Sequence, residues 1–367
     1  MERRIDYTFK ALSICGMLCV LAGHFGSHAI CFTHLYKYDT FHMPLFIFIS
    51  GYFFRPENAQ GIRNVFGFIK RKFLRLIVPY FIWNFVYFGI MFLLQNNPIF
   101  SFSIFTGEVT WKNFVLVPFQ QGRGFGYNVA AWFLPFLFLV EALYCAIRYC
   151  LAKVFRNQEF PLVLVFFLIA YAGIRLSRLK WASPWRVGVT RAMYGAFWYA
   201  FAVYYREKLE TIDWKIPALI AIFGNMLVSA FLILKFGNDT PVIYAANFSP
   251  RAALVFVRAG LGIWFWLRVS RLLAPVVVRS KAALFFANHT FSLMIHQGLA
   301  GLVLNGMIYK LRLVSNFDVE AYRSKIWFGV GPDTFRIVYL ILIPAMILIP
   351  VWFIEKHTKS RFVKSLF

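Results

Sequence analysis

The chain has 367 residues, of which 60% are hydrophobic, 20% are aromatic and only 15% are charged, and its formal net charge is +24. Soluble domains carry about a quarter charged residues, so this composition excludes an ordinary soluble protein and indicates an integral membrane protein. A strong positive charge can signal nucleic acid, but no polar stretch here is long enough to fold a binding domain. We therefore expect no nucleic-acid partner, and we expect the basic residues to meet membrane lipids instead.

Ten apolar segments approach the length of about 20 residues that a helix needs to cross a bilayer. The second segment is short and the sixth contains several tyrosines, so these two are the least secure. We predict an all-α integral membrane protein of about ten transmembrane helices, a single domain over residues 1–367, in the cell (inner) membrane. The segments are 11–32, 41–54, 76–95, 131–152, 160–176, 190–205, 216–235, 251–273, 282–306 and 335–354.

The basic residues orient these helices, because cytoplasmic loops of membrane proteins collect Lys and Arg. The larger share of the 39 basic residues lies on one side when the N-terminus is placed inside. This bias predicts that both termini face the cytoplasm. Two clusters on the outer side, from Arg175 to Arg191 and from Lys310 to Arg336, break the pattern. They indicate either an anionic ligand site or an error in the helix count.

An amphipathic segment, GIRNVFGFIKRKFLRLIVPYF, occupies residues 61–81 after the second apolar segment. Its apolar residues recur at helical spacing beside a basic face, which is typical of a helix that lies in the membrane interface before the chain turns into the bilayer. Two interpretations stay open. The basic face anchors the segment to lipid headgroups, or it also binds the phosphates of a cytosolic cofactor.

Histidines mark the first two apolar segments. His24 lies inside the first, His28 follows one turn later, and His42 stands at the start of the second. Ionisable residues are expensive in hydrocarbon and are functional candidates there, and histidine exchanges protons near neutral pH. Lys10 lies within about 40° of the same helix face as His24, about 21 Å away along the axis. This pattern predicts a proton-transfer site across two helices, with a packing hydrogen bond as the alternative for His24.

Other polar residues inside apolar segments carry less specific signals. Glu141 in the fourth segment and Arg258 in the eighth form either a structural ion pair or a substrate-binding pair. Trp132 either stacks on a sugar or belongs to an interfacial aromatic belt. The cysteines and histidines show no metal-ligand spacing, so we expect no metal.

Five stretches, taken in order, resemble the acyltransferase-3 family of multipass membrane acyltransferases, in particular its polysaccharide and fucose O-acetylase-like branch. The resemblance spans nearly the whole chain, and HMPLFxFxSG with an upstream intramembrane GH is its most specific part. The stretches are KALSICGMLCVLAGH at 10–24, FHMPLFIFISGYFF at 41–54, FIKRKFLRLIVPYFIW at 68–83, AWFLPFLFLVEALY at 131–144 and NHTFSLMIHQ at 288–297.

The resemblance implies a fold of about ten helices and transfer of an acyl group from cytosolic acyl-CoA to a sugar hydroxyl. The acyl group is usually acetyl, and the acceptor is a cell-surface or lipid-linked glycan. The family's first helix carries a basic residue eleven positions before its histidine. His24 matches that histidine, whereas Ser13 stands at the basic position and Lys10 lies three residues earlier. His296 falls at a polar position of the family's C-terminal motif.

The residue types suit this chemistry, since a neutral imidazole can take the proton of an attacking hydroxyl and nearby donors can stabilise the oxyanion. We predict an acetyl-CoA-dependent O-acyltransferase with His24 as the general base and His42 as its assistant. We expect Trp132 and His296 to contact the acceptor. The residues predicted to bind CoA are Lys10, Lys70, Arg71, Lys72 and Arg75.

A transporter or flippase that exports a glycan or a small anionic substrate is the alternative, because ionisable residues and Gly- and Pro-broken helices also suit a substrate pathway. The sequence shows no inverted repeat that would favour it. A purely structural scaffold is a third interpretation, and the buried histidines argue against it.

Overall fold

The computed structural model describes residues 6–26, 34–94, 110–122, 126–152, 154–155, 158–179, 183–249, 251–325 and 327–367. These ranges are mostly helical and contain no β-strand, apart from an isolated bridge between Val242 and Asn247. The predicted all-α class is therefore confirmed. His28, predicted as part of the histidine cluster, lies outside the described residues.

The described residues form seventeen α-helices. Turns of π-helix at Phe73–Ile77 and Tyr205–Leu209 join α3 to α4 and α9 to α10, and Gly126–Trp132 is a 3-10 segment. The helices are α1 (Tyr7–Phe25), α2 (Tyr38–Tyr52), α3 (Ile62–Lys72), α4 (Val78–Leu94), α5 (Trp111–Val115), α6 (Val117–Gln120), α7 (Phe133–Leu151), α8 (Glu159–Ser177), α9 (Arg186–Tyr204), α10 (Glu210–Trp214), α11 (Ala218–Phe236), α12 (Ala252–Arg279), α13 (Lys281–Asn288), α14 (Thr290–Lys310), α15 (Val319–Ser324), α16 (Asp333–His357) and α17 (Arg361–Ser365).

Eight helical stretches of the described chain are long and apolar enough to cross a membrane. They are α1, the continuous helix Ile62–Leu94, Asn128–Leu151, α8, α11, α12, α14 and Phe335–His357. A multi-pass membrane protein is thereby confirmed. The other two predicted segments form α2 and α9, but α2 is only 15 residues long and α9 is largely buried among other helices. A helix that packs against protein need not be apolar, so the count of ten stays a prediction.

The amphipathic segment continues into the apolar segment that follows it without a break in the helix, and its predicted place in the membrane interface stays a prediction. α3 and α4 form one helix of 33 residues, interrupted only by the π-turn Phe73–Ile77. Only Val78 separates this turn from Pro79, the second residue of α4. Proline lacks an N–H and clashes with the preceding helical turn, and a π-turn absorbs this misfit without ending the helix.

The first helix lies at the centre of the bundle, against α2, α12, α14 and α16. Glycines allow its close approach to α2, since a side chain at Gly16 would lie 2.8 Å from Leu45. At the N-terminal end of α1, Lys10 Nζ lies 2.5 Å from Asn288 Oδ1, and the next residue, His289, lies 3.1 Å from Glu355 near the end of α16. The start of α1 and the end of α16 therefore share one end of the bundle, and the side of the membrane they face stays a prediction.

A cluster around Asp213 stabilises that part of the bundle where α9 leads into α11. The Asp213 carboxylate accepts hydrogen bonds from Tyr205 Oη at 2.5 Å and Trp264 Nε1 at 2.8 Å, and it pairs with Arg268 and with Arg271 at 2.8 Å. Burial alone would raise the pKa of Asp213, but these hydrogen bonds and charges outweigh it and hold the pKa below its ordinary value. The ionised carboxylate therefore contributes to stability.

We expect Asp213→Asn to destabilise the protein by on the order of 3 kcal/mol, because two buried guanidinium groups lose their counter-charge. Since the folded pKa of Asp213 is depressed, its contribution is present above the ordinary value of 3.8 and is lost as the pH falls below it. Thermal unfolding in detergent at pH 7 and at low pH measures both effects, and the variant should differ less from wild type in acid. Glu207→Gln is the matched control, because the Arg206–Glu207 pair is 25% and 30% exposed and should contribute little. Equal effects of the two changes at pH 7 would contradict the prediction.

Candidate active site

His24 lies in the last turn of α1 and is held on two sides by residues from the C-terminal part of the chain. Its Nδ1 lies 2.8 Å from Oε1 of Gln297 on α14. Its ring stacks on the indole of Trp327, with centroids 3.8 Å apart and planes 3° from parallel. The residue is only partly buried. Contacts on two sides therefore fix the direction in which the ring points.

The orientation of the Gln297 amide determines the tautomer of His24. Gln297 is fully buried, and its Nε2 donates to the Met294 carbonyl at 3.1 Å. Its Oε1 therefore faces His24 and accepts a hydrogen bond, which requires the proton on His24 Nδ1. The neutral ring then carries its free lone pair on Nε2. This arrangement is the one that a general base needs, with one nitrogen oriented by a partner and the other open to substrate.

His42 lies in the first turns of α2 and shows the same pattern. Its Nδ1 donates to the Tyr38 carbonyl one turn earlier, so its Nε2 is also the open nitrogen. His42 interacts electrostatically with His24 and with Asp39. The structure thus brings together the two histidines that the sequence predicted, and it adds a carboxylate beside the second one.

Close packing of Tyr38 against α1 brings α2 to this position. The Tyr38 hydroxyl donates to the Gly23 carbonyl at 3.3 Å, and the Tyr38 ring occupies the space where a side chain at Gly23 would lie. Gly23 directly precedes His24, and Tyr38 is one turn from His42. The glycine therefore fixes the separation of the two histidines.

His296 does not join this group. Its Nδ1 lies 2.8 Å from the Tyr87 hydroxyl, and Trp83 packs edge-on at 4.2 Å, so the ring faces α4. Consecutive residues of a helix point about 100° apart. Gln297, the next residue, is the one that turns toward His24. The sequence marked this pair as a polar position, and only the packing of α14 shows which member faces the histidines.

Trp132 ends the 3-10 segment and is buried inside the bundle rather than in an interfacial belt. It is 8% exposed and stacks on Phe136 at 5.6 Å. The guanidinium of Arg191 lies 4.7 Å from its ring centroid, and Tyr244 packs edge-on at 5.4 Å. Its predicted contact with an acceptor stays a prediction.

The predicted CoA-binding residues divide into two groups. Lys70, Arg71 and Arg75 are exposed, and Arg75 interacts electrostatically with Lys10 on α1. Lys72, by contrast, pairs with Glu141 at 2.5 Å, and Glu141 is fully buried. Arg75 and Lys10 form a basic surface at the N-terminal end of α1, with Lys70 and Arg71 exposed earlier on the same helix as Arg75, whereas the charge of Lys72 is already neutralised.

The pairing of Glu141 with Arg258, expected from the sequence, is wrong. Glu141 also accepts a hydrogen bond from Ser50 at 2.5 Å, so Lys72 and Ser50 are its partners. Arg258 donates to the backbone carbonyls of Asp239, at 2.8 Å, and Gly237. Both residues lie in apolar segments, as predicted, but the helix faces that carry them do not meet.

Fold and site together define a multi-pass membrane protein with a histidine-centred polar site between its first two helices and α14. The family model described as an acyltransferase domain, that of the acyltransferase-3 family, matches residues 7–355. The chain therefore belongs to the acyltransferase-3 family, and it is a membrane acyltransferase. The resemblance drawn from the sequence is confirmed at the level of the family, while its polysaccharide O-acetylase-like branch stays a prediction. No curated protein and no solved structure matches the chain.

We expect Gly23→Ala to destabilise the protein by about 1–3 kcal/mol, because the new methyl group overlaps the Tyr38 ring and forces α1 and α2 apart. Thermal unfolding in detergent measures the loss. Tyr38→Ala should cost less in the Gly23→Ala background than in wild type, since the two changes share one contact. Gly224→Ala is the control, because a side chain there meets no atom within 4 Å. Full additivity of the two changes would show that this contact does not position α2.

Proposed function

We propose that this membrane acyltransferase transfers an acyl group, acetyl in the simplest case, from cytosolic acetyl-CoA to a hydroxyl of a cell-surface or lipid-linked glycan. His24 acts as the general base and His42 assists it. The family match favours this function over the alternative of a transporter or flippase.

The observation that carries the proposal is the hydrogen bond between His24 Nδ1 and Gln297 Oε1. It leaves Nε2 of His24 as a proton acceptor inside the bundle. An acceptor hydroxyl is a weak nucleophile, and an oriented base that removes its proton as it attacks contributes about 10²- to 10⁴-fold in rate. Gln297 acts through His24 and is a positioning residue.

The reaction balances with these groups. His24 Nε2 takes the hydroxyl proton while the acceptor oxygen forms a bond to the thioester carbonyl carbon. The carbonyl oxygen becomes an oxyanion, which nearby hydrogen-bond donors stabilise, and His42, which interacts electrostatically with His24, assists this step. The C–S bond then breaks, and the thiolate of CoA leaves with the proton that His24 returns.

The basic surface at the N-terminal end of α1 supports the proposed donor. Acetyl-CoA carries several phosphates, and Arg and Lys side chains bind phosphates well. Lys10 and Arg75 lie at the opposite end of α1 from His24, about 21 Å away along the axis. A donor bound there through its phosphates would have to extend its thioester along α1 toward His24.

We expect His24→Gln to lower acyl transfer by at least about 100-fold, since its side chain cannot accept the proton. Gln297→Leu should lower kcat by a comparable factor, because the proton of His24 is then no longer held on Nδ1. The KM for acetyl-CoA should change little, because Gln297 does not contact the proposed acetyl-CoA site. Transfer of labelled acetyl from acetyl-CoA, with protein in liposomes and extracted glycan as acceptor, measures both. Exposed His34 provides the control, and His34→Gln should leave the rate unchanged. Wild-type rates in the His24→Gln variant would overturn the assignment of the base.

The two groups of basic residues should respond differently to substitution. Arg75→Gln and Lys70→Gln should raise the KM for acetyl-CoA several-fold while stability stays unchanged, because both side chains are exposed. Lys72→Gln should instead lower the unfolding temperature, because Glu141 is left buried without a counter-charge. The Lys72→Gln/Glu141→Gln double variant should recover much of that loss. A rise in KM for Lys72→Gln without destabilisation would place Lys72 in the donor site.

A further inference from the structure

Arg191 on α9 is a fully buried guanidinium group whose charge has no carboxylate partner among the described residues. Its Nη1 donates to the Tyr244 carbonyl at 3.1 Å, and its plane lies over Trp132 and Phe136. Its Nε and Nη2 have no hydrogen-bond partner. Burial of an unpaired charge costs several kcal/mol, and cation–π contacts return only about 2 kcal/mol of that.

The other deeply buried arginines of the described chain show what a structural role looks like. Arg148 and Arg268 are both 2% exposed. Arg148 forms a two-pronged pair with Glu159, and Arg268 pairs with Asp213. Arg191 is also fully buried, but two of its donors have no acceptor within the described ranges. Such a guanidinium is pre-organised to bind an anion that a ligand supplies.

Neighbouring side chains add further open polar atoms. Asn128, in the same 3-10 segment as Trp132, donates to Asn84 Oδ1 at 2.6 Å, and both residues are buried. Asn128 Oδ1 and Asn84 Nδ2 have no partner. Tyr80 interacts with Asn84 and with Tyr244, which links this pair to Arg191. A sugar with an acidic group presents hydroxyls, an apolar ring face and a negative charge. The open hydrogen-bond donors, the one open acceptor and the aromatic ring of this cluster match these features.

Helix packing places this cluster at the depth of the histidines. A β-carbon built on Gly195 of α9 would lie 3.1 Å from Ile47 of α2, and Gly51 packs on the backbone of Tyr199. The two helices therefore run parallel in this register, and Arg191 lies level with Met43, next to His42. The cluster is thus far from the basic surface of Lys10 and Arg75, which rules it out as part of the same phosphate-binding surface.

We propose that Arg191 and Trp132, with Asn84 and Asn128, bind a sugar residue that carries an oxyanion group, so that the acceptor is an acidic glycan. The group is a carboxylate or a phosphate, because each presents a pair of oxygens that a guanidinium fork can bind. The substrate class rests on the proposed function, whereas the binding site itself does not. Gly122 packs on the guanidinium, since a β-carbon built there would lie 2.7 Å from Arg191 Nη1.

The test compares three probes on purified protein in detergent, namely methyl β-D-glucuronide, methyl β-D-glucoside and glucose 6-phosphate. We expect wild type to bind at least one charged probe about 10- to 100-fold more tightly than the glucoside, as measured by calorimetry. Arg191→Met should abolish this preference. Preference for the glucuronide identifies a carboxylate and preference for the phosphate identifies a phosphoryl group. Equal affinity for all three probes in wild type overturns the proposal.

A stability measurement separates a binding role from a structural one. Arg191→Met removes an uncompensated charge and should raise or preserve the unfolding temperature without ligand. Arg148→Met is the matched control and should lower it, because Glu159 is left buried and unpaired. If Arg191→Met lowers the unfolding temperature as much as Arg148→Met, the arginine is structural. Arg191→Lys, which keeps the charge and loses the fork, should weaken the preference if the methionine variant does not fold.

These experiments test the proposed binding site and the proposed catalytic function independently of each other. The His24→Gln variant should keep the preference for a charged probe while acyl transfer is lost. If wild type transfers no acyl group to any glycan but retains an Arg191-dependent preference, the proposed function fails and the anion site stands. If acyl transfer depends on His24 but no charged probe is preferred, the acceptor is neutral and the anion site fails.

Discussion

Within a helix bundle that excludes water, a polar side chain is stable where another polar group forms a hydrogen bond with it. At the candidate site, the hydrogen bond between His24 and Gln297 meets this requirement. The Gln297 amide is oriented by the Met294 carbonyl, and it orients the histidine in turn. One nitrogen of His24 is thereby satisfied and the other remains open. The same contact that stabilises His24 in the bundle also orients it for the proposed role of general base.

The buried charges of this protein follow the same requirement. Glu141 is neutralised by Lys72, Arg148 by Glu159, and Asp213 by two arginines. Each of these pairs joins separate helices or adjoining turns and is explained by packing. Arg191 stands apart, because within the described part of the chain neither a carboxylate nor a full set of acceptors reaches it, and this difference is what makes it informative about a ligand.

The two ends of α1 differ in character in a way that suits a two-substrate reaction. Lys10 lies near Arg75 at the N-terminal end, on a basic exposed surface, while His24 lies near aromatic and amide side chains at the other. The proposed donor, which carries several phosphates, and the proposed sugar acceptor need different surroundings. Separation along one central helix keeps the two environments apart, and Gly23 keeps α2 close enough to contribute His42.

The length of an apolar segment and the distribution of charge around it are properties of contiguous stretches of sequence. The sequence alone therefore determined the all-helical membrane class and the positions of the helices, and it identified His24 as a candidate site residue. It left α2 and α9 insecure because a short helix and a protein-packed helix lack the apolar signal of a span. Pairing was decided only by tertiary structure: that Gln297 rather than His296 faces His24, and that Glu141 meets Lys72 rather than Arg258. Which faces meet depends on how distant helices rotate and approach, and no local pattern records that geometry.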